Sequence, residues 1–396
     1  MSGPQELATF SDSSSYSRNI DKDLPPSPPK SAAVETFTQA QLQKQMQHGE
    51  HQQSSGALIE IVDLPAPHSG HIRILQISRP SASNAISYAL LSALRKEIQA
   101  IQAQYSQFTG AEMPWTEGDI KGPTRALIIA SAVDSCFSAG ADLKELISFT
   151  QEQITGFFSS LRDTLKALSN LPIPTISAIS SSAFGSGFEL ALATHFRIMS
   201  SNSYIALPET GLGIIPTAGG THRLATLIGV SRARDIILTG RRVTAPEAVS
   251  MGIANRMVDM TSEEPGLEDS TVHAVARRKV LVEAIRLSEE ICEGGPVAVR
   301  ATIQALKEPG EKTEKAMTER VVTSEDWIEA LRAFDEKRKP VFKDQFIIRA
   351  GIVRALCSLV DFQASDGRSQ ATLTARHFAI APSLVPVCIQ KMTSES

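Results

Sequence analysis

The chain has 396 residues, 42% of them hydrophobic and 21% charged, with a net charge of −4. That composition supports a large apolar core, and its mild acidity argues against a dedicated nucleic-acid binder, which would carry a basic face. Cys136, Cys292, Cys357 and Cys388 form no CxxC pair and read as free thiols in a reducing compartment, while no apolar run approaches the roughly 20 residues of a membrane span.

Residues 1–56 are poor in apolar side chains and rich in Ser, Gln and Pro, which predicts a disordered leader. No signal peptide is visible in it. It is also a poor mitochondrial presequence, since Arg18 is its only arginine and faces Glu6, Asp12, Asp21 and Asp23. The globular pattern begins near Ala57. Residues 71–78 read as a strand closed by Arg79-Pro80. A helix follows, carried by Leu90, Leu91, Leu94, Ile98 and Ile101. Residues 106–122 form a loop insertion, and 125–131 a buried strand.

Thr150 and Gln153 make a capping-box signature. The helix that follows has Ile154, Phe157, Phe158, Leu161, Leu165 and Leu168 on one face, and Pro172 and Pro174 end it. Residues 175–180 give the next strand. Helices are predicted over 224–228 and 232–238, and from a Thr244/Glu247 cap through Ala248 to Gly252. Strands alternating with helices indicate an α/β fold. From about 271 to 340 the pattern is purely helical.

Two glutamates stand where nothing structural asks for a carboxylate. Glu189 lies in Ala183-Phe-Gly-Ser-Gly-Phe-Glu-Leu-Ala-Leu-Ala193, a glycine-broken turn entering an apolar stretch. Glu209 lies in Ile205-Ala-Leu-Pro-Glu-Thr-Gly-Leu-Gly-Ile-Ile-Pro216, an apolar loop. A buried ionised carboxylate needs a partner, a raised pKa or a chemical role. Two of them could divide proton transfers on one substrate.

A third segment, Phe137-Ser-Ala-Gly-Ala-Asp-Leu-Lys-Glu145, follows the buried strand, and Pro208-Glu209 leads into Ile215-Pro-Thr-Ala-Gly-Gly-Thr-His-Arg-Leu224. Together these segments resemble the crotonase (enoyl-CoA hydratase/isomerase) superfamily over roughly 57–345. Residues 192–197, 237–242 and 291–297 are similar to its fungal 3-methylglutaconyl-CoA hydratase group. The resemblance implies a crotonase-like spiral of ββα units with a C-terminal all-α subdomain. Its boundaries divide the chain into a leader (1–56), a core (57–265), a helical subdomain (266–345) and a tail (346–396) that resembles nothing we can place.

The resemblance also implies the chemistry, which is hydration of a 2-enoyl-CoA by Glu189 and Glu209. An oxyanion hole is expected from the backbone N–H groups of Ala141 and Ser186, and CoA contacts from Lys144 and Lys337. CoA enters as part of the substrate, and no metal or separate cofactor is implied. Arg79 and Asn84 mark the loop beside the cofactor, without an assigned contact. Family members form homotrimers or homohexamers. Mitochondrial residence follows from the family alone, with peroxisome and cytoplasm as alternatives. An enoyl-CoA isomerase or hydratase of fatty-acid or secondary metabolism, RNA binding and a non-catalytic scaffold are the competing functions. RNA binding is disfavoured because the helix near 94–105 offers only Arg95 and Lys96 as cations.

Each candidate has a plainer reading: Lys144 and Lys337 as solvated charges, His195 as a satisfied structural histidine. His222 receives no role. Two departures touch the site. Ser186 stands where the family turn carries its middle glycine, and Thr217 replaces the first glycine of the second loop. Thr217 would be strained if its φ were positive.

Overall fold

The computed structural model describes residues 57–106, 110–113, 122–260 and 269–344. The leader, most of the 106–122 insertion and the tail, with Cys357 and Cys388, lie outside them. The described part opens with β1 (Ile59–Pro65) and β2 (His71–Ile77), which pair antiparallel. Helix α1 (Tyr88–Gln102) follows, with Ser87 Oγ accepting from the Leu90 N–H at its start. All five apolar positions predicted for that helix are buried.

From β3 (Thr124–Ser131) to the eighth strand, successive strands go to alternate sheets. β3 enters the first sheet and β4 (Cys136–Ser138) the second. β5 (Thr175–Ile179), β7 (Phe196–Ser200) and β10 (Arg256–Val258) join β3, whereas β6 (Ser182–Phe184), β8 (Tyr204–Ala206) and β9 (Val243–Thr244) join β4. The result is a six-stranded sheet ordered β1-β2-β3-β5-β7-β10 and a four-stranded sheet ordered β4-β6-β8-β9. Both are mainly parallel; among the described strands, antiparallel pairing occurs only at β1–β2 and β8–β9. This is the ββα spiral that the family resemblance implies. The short second-sheet strands carry too few residues to show a period of two, so the pattern along the chain does not reveal them.

Burial explains the order. Every residue of β3 is buried, as suits a parallel strand covered on both faces. Leu127 and Ile129 join the main apolar cluster with Leu91, Leu94 and Ile98 of α1. Helix α2 (Leu143–Leu146) is one turn, capped by Asp142. Helix α3 (Gln151–Ser169) adds Phe157, Leu161, Leu165 and Leu168 to the same cluster, and the Thr150/Gln153 capping box is formed in full. Each such buried side chain contributes about 1.5–3 kcal/mol.

Beyond β6 come α4 (Ser186–Leu192), α5 (Gly220–Ile228), α6 (Val230–Thr239) and α7 (Ala245–Ser250), the last capped by Thr244 as predicted. Helix α8 (Asp269–Cys292) then lies against β3, β5, β7 and β10. Helices α9 (Pro296–Lys307), α10 (Glu311–Val322) and α11 (Glu325–Asp335) complete the helical region. Arg125 of β3 ties in the last described segment. Its guanidinium bonds to Asp344, which also takes Arg300 of α9 at 2.5 and 2.6 Å. Cys136 and Cys292 are buried free thiols.

Candidate active site

Three turns at the ends of second-sheet strands meet around the two glutamates. The first follows β4. Ile86 donates its N–H to the Gly140 carbonyl at 2.7 Å and accepts from the Asp142 N–H at 3.1 Å. Both bonds bracket Ala141 and turn its own N–H away from Ile86. Asn84 fixes this turn from beneath. It is fully buried, accepts from the Arg79 N–H at 2.8 Å, and donates through Nδ2 to Ser131 Oγ at 2.8 Å and to the Phe137 carbonyl at 3.1 Å. Arg79 reaches Asp142 at 2.6 Å. Although burial opposes it, that pairing and the backbone N–H groups of Glu145 and Lys144 hold the Asp142 carboxyl below its usual range. Thus Arg79 and Asn84, which the sequence left without a contact, are the supports of the Ala141 turn.

The second turn follows β6. Gly185 has φ 52°, a left-handed value that favours glycine, and its N–H is tied to the Ala206 carbonyl at 3.0 Å. Ser186 is then the first residue of α4, so its N–H has no acceptor within the helix. A Cβ on Gly140 would stand 3.3 Å from that nitrogen, which places the two turns side by side. Gly187 packs just as closely, because a Cβ there would fall 2.5 Å from the Ser138 carbonyl oxygen. The φ of Ser186 is not positive, so the departure from glycine leaves an ordinary backbone and an available donor. Thr217 likewise avoids positive φ, and the strain considered for it does not arise.

Glu189 sits one turn into α4 and is fully buried. Its Oε1 accepts from the N–H groups of Ala218 and Gly220, each at 2.8 Å. Its Oε2 is buried without a hydrogen-bond partner. Burial pushes its pKa up, opposed by those two N–H groups, by the Ser186 hydroxyl and by the charge of Arg223. The far end of α4 is closed by buried Arg197, which donates to the Thr194 carbonyl and, from Nε, to the Ile253 carbonyl, each at 2.6 Å.

Glu209 begins the one-turn 3-10 helix Glu209–Leu212. It is buried, and its Oε2 also lacks a partner. Burial, with the charge of Glu189 added, raises its pKa to about 7, against the pull of its own backbone N–H. The carboxylates therefore differ: one is anchored by two backbone donors, the other is held half-protonated near neutrality.

The remaining candidates separate from this pair. Lys144 is exposed beside the Ala141 turn. Lys337 is exposed beyond α11, and no contact among the described residues links it to the glutamates. His195 is structural, as the sequence suggested. Its Nδ1 accepts from the Thr175 N–H at 3.1 Å, and burial lowers its pKa to about 4, so the ring is neutral. His222 is exposed. Arg95 bonds to Ser160 of α3 at 3.2 Å, which leaves Lys96 as the exposed cation of that pair.

Sequence reasoning gave no role to the Ala218 and Gly220 N–H groups or to Arg223. Arg223 donates to the Ala218 carbonyl at 2.8 Å and so braces the loop that holds Glu189. The Pro-Thr-Ala-Gly-Gly run was the available signal, since a glycine-rich turn entering a helix exposes N–H groups toward an anion.

The family model described as enoyl-CoA hydratase/isomerase matches residues 119–345. Methylglutaconyl-CoA hydratase 1, mitochondrial, of Pyricularia oryzae is 54% identical over 308 residues, covering 74% of this chain and 88% of that protein. An enoyl-CoA isomerase/hydratase of Zymoseptoria tritici is 50% identical over 295 residues, 73% of this chain and 90% of that one. Among solved structures, the enoyl-CoA hydratase from Bacillus anthracis superposes with a TM-score of 0.61 at 34% identity, covering 73% of this chain and all of that one.

Proposed function

The chain belongs to the enoyl-CoA hydratase/isomerase family, and from that premise we propose that it adds water across the double bond of a 2-enoyl-CoA, with Glu189 and Glu209 as the proton-transfer pair. The observation that carries this is the pair itself, two buried carboxylates each presenting a partnerless Oε2 beside two glycine turns with outward N–H groups. Donors aimed where charge develops are the main source of stabilisation in acyl chemistry. Here the Ala141 and Ser186 N–H groups take the thioester oxygen as the enolate forms, helped by the N-terminus of α4.

The different environments divide the two roles. Glu189, with two N–H donors on Oε1, works as the carboxylate that accepts a proton from water as the oxygen bonds to the β-carbon. Glu209, with a pKa near 7, delivers a proton to the α-carbon. The two transfers together add one water and leave both groups ready for exchange with solvent. CoA arrives as part of the substrate, so acid–base chemistry alone balances the step, with no metal or further cofactor. Lys144 is assigned to the CoA phosphates and Lys337 to its nucleotide end. The relative from Pyricularia oryzae supports 3-methylglutaconyl-CoA as the substrate, giving 3-hydroxy-3-methylglutaryl-CoA, and supports a mitochondrial setting. A homotrimer or homohexamer is the assembly that goes with this reading.

Loss of enoyl-thioester absorbance, followed with crotonyl-CoA and 3-methylglutaconyl-CoA, tests it. Glu189→Gln and Glu209→Gln are each expected to lower kcat by about 10²–10⁴-fold. Activity of the unaltered chain falls as pH rises past about 7, because Glu209 must carry its proton. A folded, CoA-binding protein with no turnover of either substrate overturns the hydratase reading. The relative from Zymoseptoria tritici makes isomerisation the second reading. It predicts that Glu189→Gln abolishes hydration and leaves double-bond migration intact.

A further inference from the structure

The two N–H groups assigned to the thioester oxygen lie equally far along the chain from one paired row. In the second sheet, Ser138 of β4 stands opposite Ala183 of β6. Ala141 lies three residues beyond Ser138, and Ser186 three residues beyond Ala183. Ser138 is the last residue of β4. Strand pairing therefore stops short of the donors, and their separation depends on what holds the segments beyond that row.

Ser138 is fully buried, and its hydroxyl is satisfied on both sides. Its Oγ accepts from the Gly140 N–H at 3.3 Å and donates to the Asn84 carbonyl at 2.9 Å. The polarity of this relay is fixed, because an N–H cannot accept and a carbonyl cannot donate. Asn84 is in turn held by Ser131 and Phe137. The residue just before Ala141 is thus tied through one hydroxyl to the buried frame.

The same side chain meets the second donor. Gly187 follows Ser186 in the first turn of α4, and a Cβ on it would fall 2.6 Å from both Cβ and Oγ of Ser138. The Gly187 backbone rests against Ser138, an approach that the absence of a side chain permits. Ser138 therefore holds the Ala141 turn by hydrogen bonds and the start of α4 by contact.

We propose that Ser138 is a positioning residue of the oxyanion hole, setting the distance between the Ala141 and Ser186 N–H groups so that both reach one thioester oxygen. An oxygen shared by two donors needs both within hydrogen-bond range at once, and displacing either weakens the pair. The inference rests on the acyl-CoA reading for its ligand and not on the fate of the double bond.

Two variants separate positioning from packing. Ser138→Ala keeps Cβ against Gly187 and removes the relay. Ser138→Cys keeps the shape and weakens both hydrogen bonds. With crotonyl-CoA and 3-methylglutaconyl-CoA, Ala is expected to lower kcat about tenfold with little change in KM, less than the roughly 10²–10³-fold cost of deleting an oxyanion donor outright. Cys falls between Ala and the unaltered chain.

Infrared spectroscopy of bound butyryl-CoA, a saturated thioester that cannot be hydrated, reads the donors without turnover. Two N–H groups lower the carbonyl stretch below that of free butyryl-CoA. In Cys and then Ala the bound stretch is expected to move back toward the free value, a change that a purely structural role does not produce. A stretch that is the same in unaltered, Cys and Ala proteins overturns the proposal, whether or not kcat falls. Should Ala not fold, an unmoved stretch in Cys is enough to overturn it. A stretch that relaxes in variants of a protein lacking hydratase activity upholds the role of Ser138 and sinks the hydratase reading instead. A stretch already at the free value in the unaltered protein overturns the oxyanion hole and the proposal together.

Discussion

Helices α4 and α11 are built on opposite plans. All seven residues of α4 are buried, its first N–H groups face the candidate site, and near its end the Ala191 carbonyl accepts from Arg197 at 3.4 Å. α11 buries only Asp326 and Ala333, and it leaves Trp327, Leu331 and Phe334 exposed at 40%, 52% and 84%. α10, beside it, buries none of its residues. Capping does not explain the contrast, because the exposed α11 begins with a Ser324 side-chain cap while the buried α4 begins at Gly185 with none. What differs is redundancy. Beside α4 the Glu189 carboxylate is anchored through Oε1 by two backbone N–H groups of a loop that Arg223 braces, whereas α11 depends on a few anchors. Catalytic geometry needs the first plan, since small displacements of a proton-transfer group are costly.

The largest effect that could break this contrast lies at the anchor of the helical region. Asp344 stands between buried Arg300 and Arg125, its side chain only 1% exposed. Those cations, opposed by burial, hold its carboxyl well below the usual range. Asp344→Ala leaves two guanidinium groups buried, with Glu112 as the remaining carboxylate against Arg125. The expected destabilisation in urea is about 3–5 kcal/mol, the typical result of breaking a buried pair by removing one partner. A loss below about 1 kcal/mol would mean that Glu112, whose pKa burial raises to about 8, ionises and takes over the role.

The second effect has the opposite sign and lies in the site. Glu209 has its pKa raised from 4.5 to about 7. A carboxyl raised in the folded state binds protons more tightly there than in the unfolded chain. Its contribution is fully present below about pH 4.5 and is lost as pH rises to 7. Glu209→Gln removes that loss. The variant should gain up to about 3 kcal/mol relative to the unaltered chain at pH 8, and nothing at pH 4 from this source. Denaturation at both pH values checks it. Equal stability at pH 8 would mean that Glu209 carries no burial penalty.

A smaller effect tests the frame beneath the site. Thr150→Ala removes the hydroxyl half of the capping box on α3. It should cost about 1 kcal/mol without moving kcat. A change in kcat would show that α3, which Arg223 reaches at the Leu165 carbonyl, transmits to Glu189.

Long amphipathic helices and fully buried strands were legible in the sequence because their periods repeat several times. The Leu90–Ile101 series, β3 and the Thr150/Gln153 cap all appear where the pattern predicts them. The glutamates were legible for a different reason, as charges in apolar segments. What stayed hidden is what sequence neighbours do not record. The two N–H groups on Glu189 come from a loop about thirty residues away, and Asn84 reaches Ser131 and Phe137 across the core. β4, β6 and β8 have three residues each, too short to display alternation. Lys144 and Lys337 could be picked out only through resemblance, because an exposed lysine carries no local mark of its partner.

The smallest effect expected on the chain's own fold comes from the exposed side of α11. Replacing Phe334 with Ser removes an aromatic ring that is 84% exposed, so there is almost no burial to lose within one chain. Stability at low protein concentration should change by no more than about 0.5 kcal/mol, as for other surface positions. The same face carries Trp327, Leu331 and, just beyond the helix, Val341, all exposed. Apolar side chains grouped in this way mark a contact surface more often than a solvated one. If that surface closes the proposed homo-oligomer, Phe334→Ser shifts sedimentation toward a smaller species and makes the thermal midpoint depend more steeply on concentration. Unaltered and variant chains that sediment alike would remove α11 from the assembly interface. The contrast with α4 would then be between a helix fixed for chemistry and one that the fold simply tolerates.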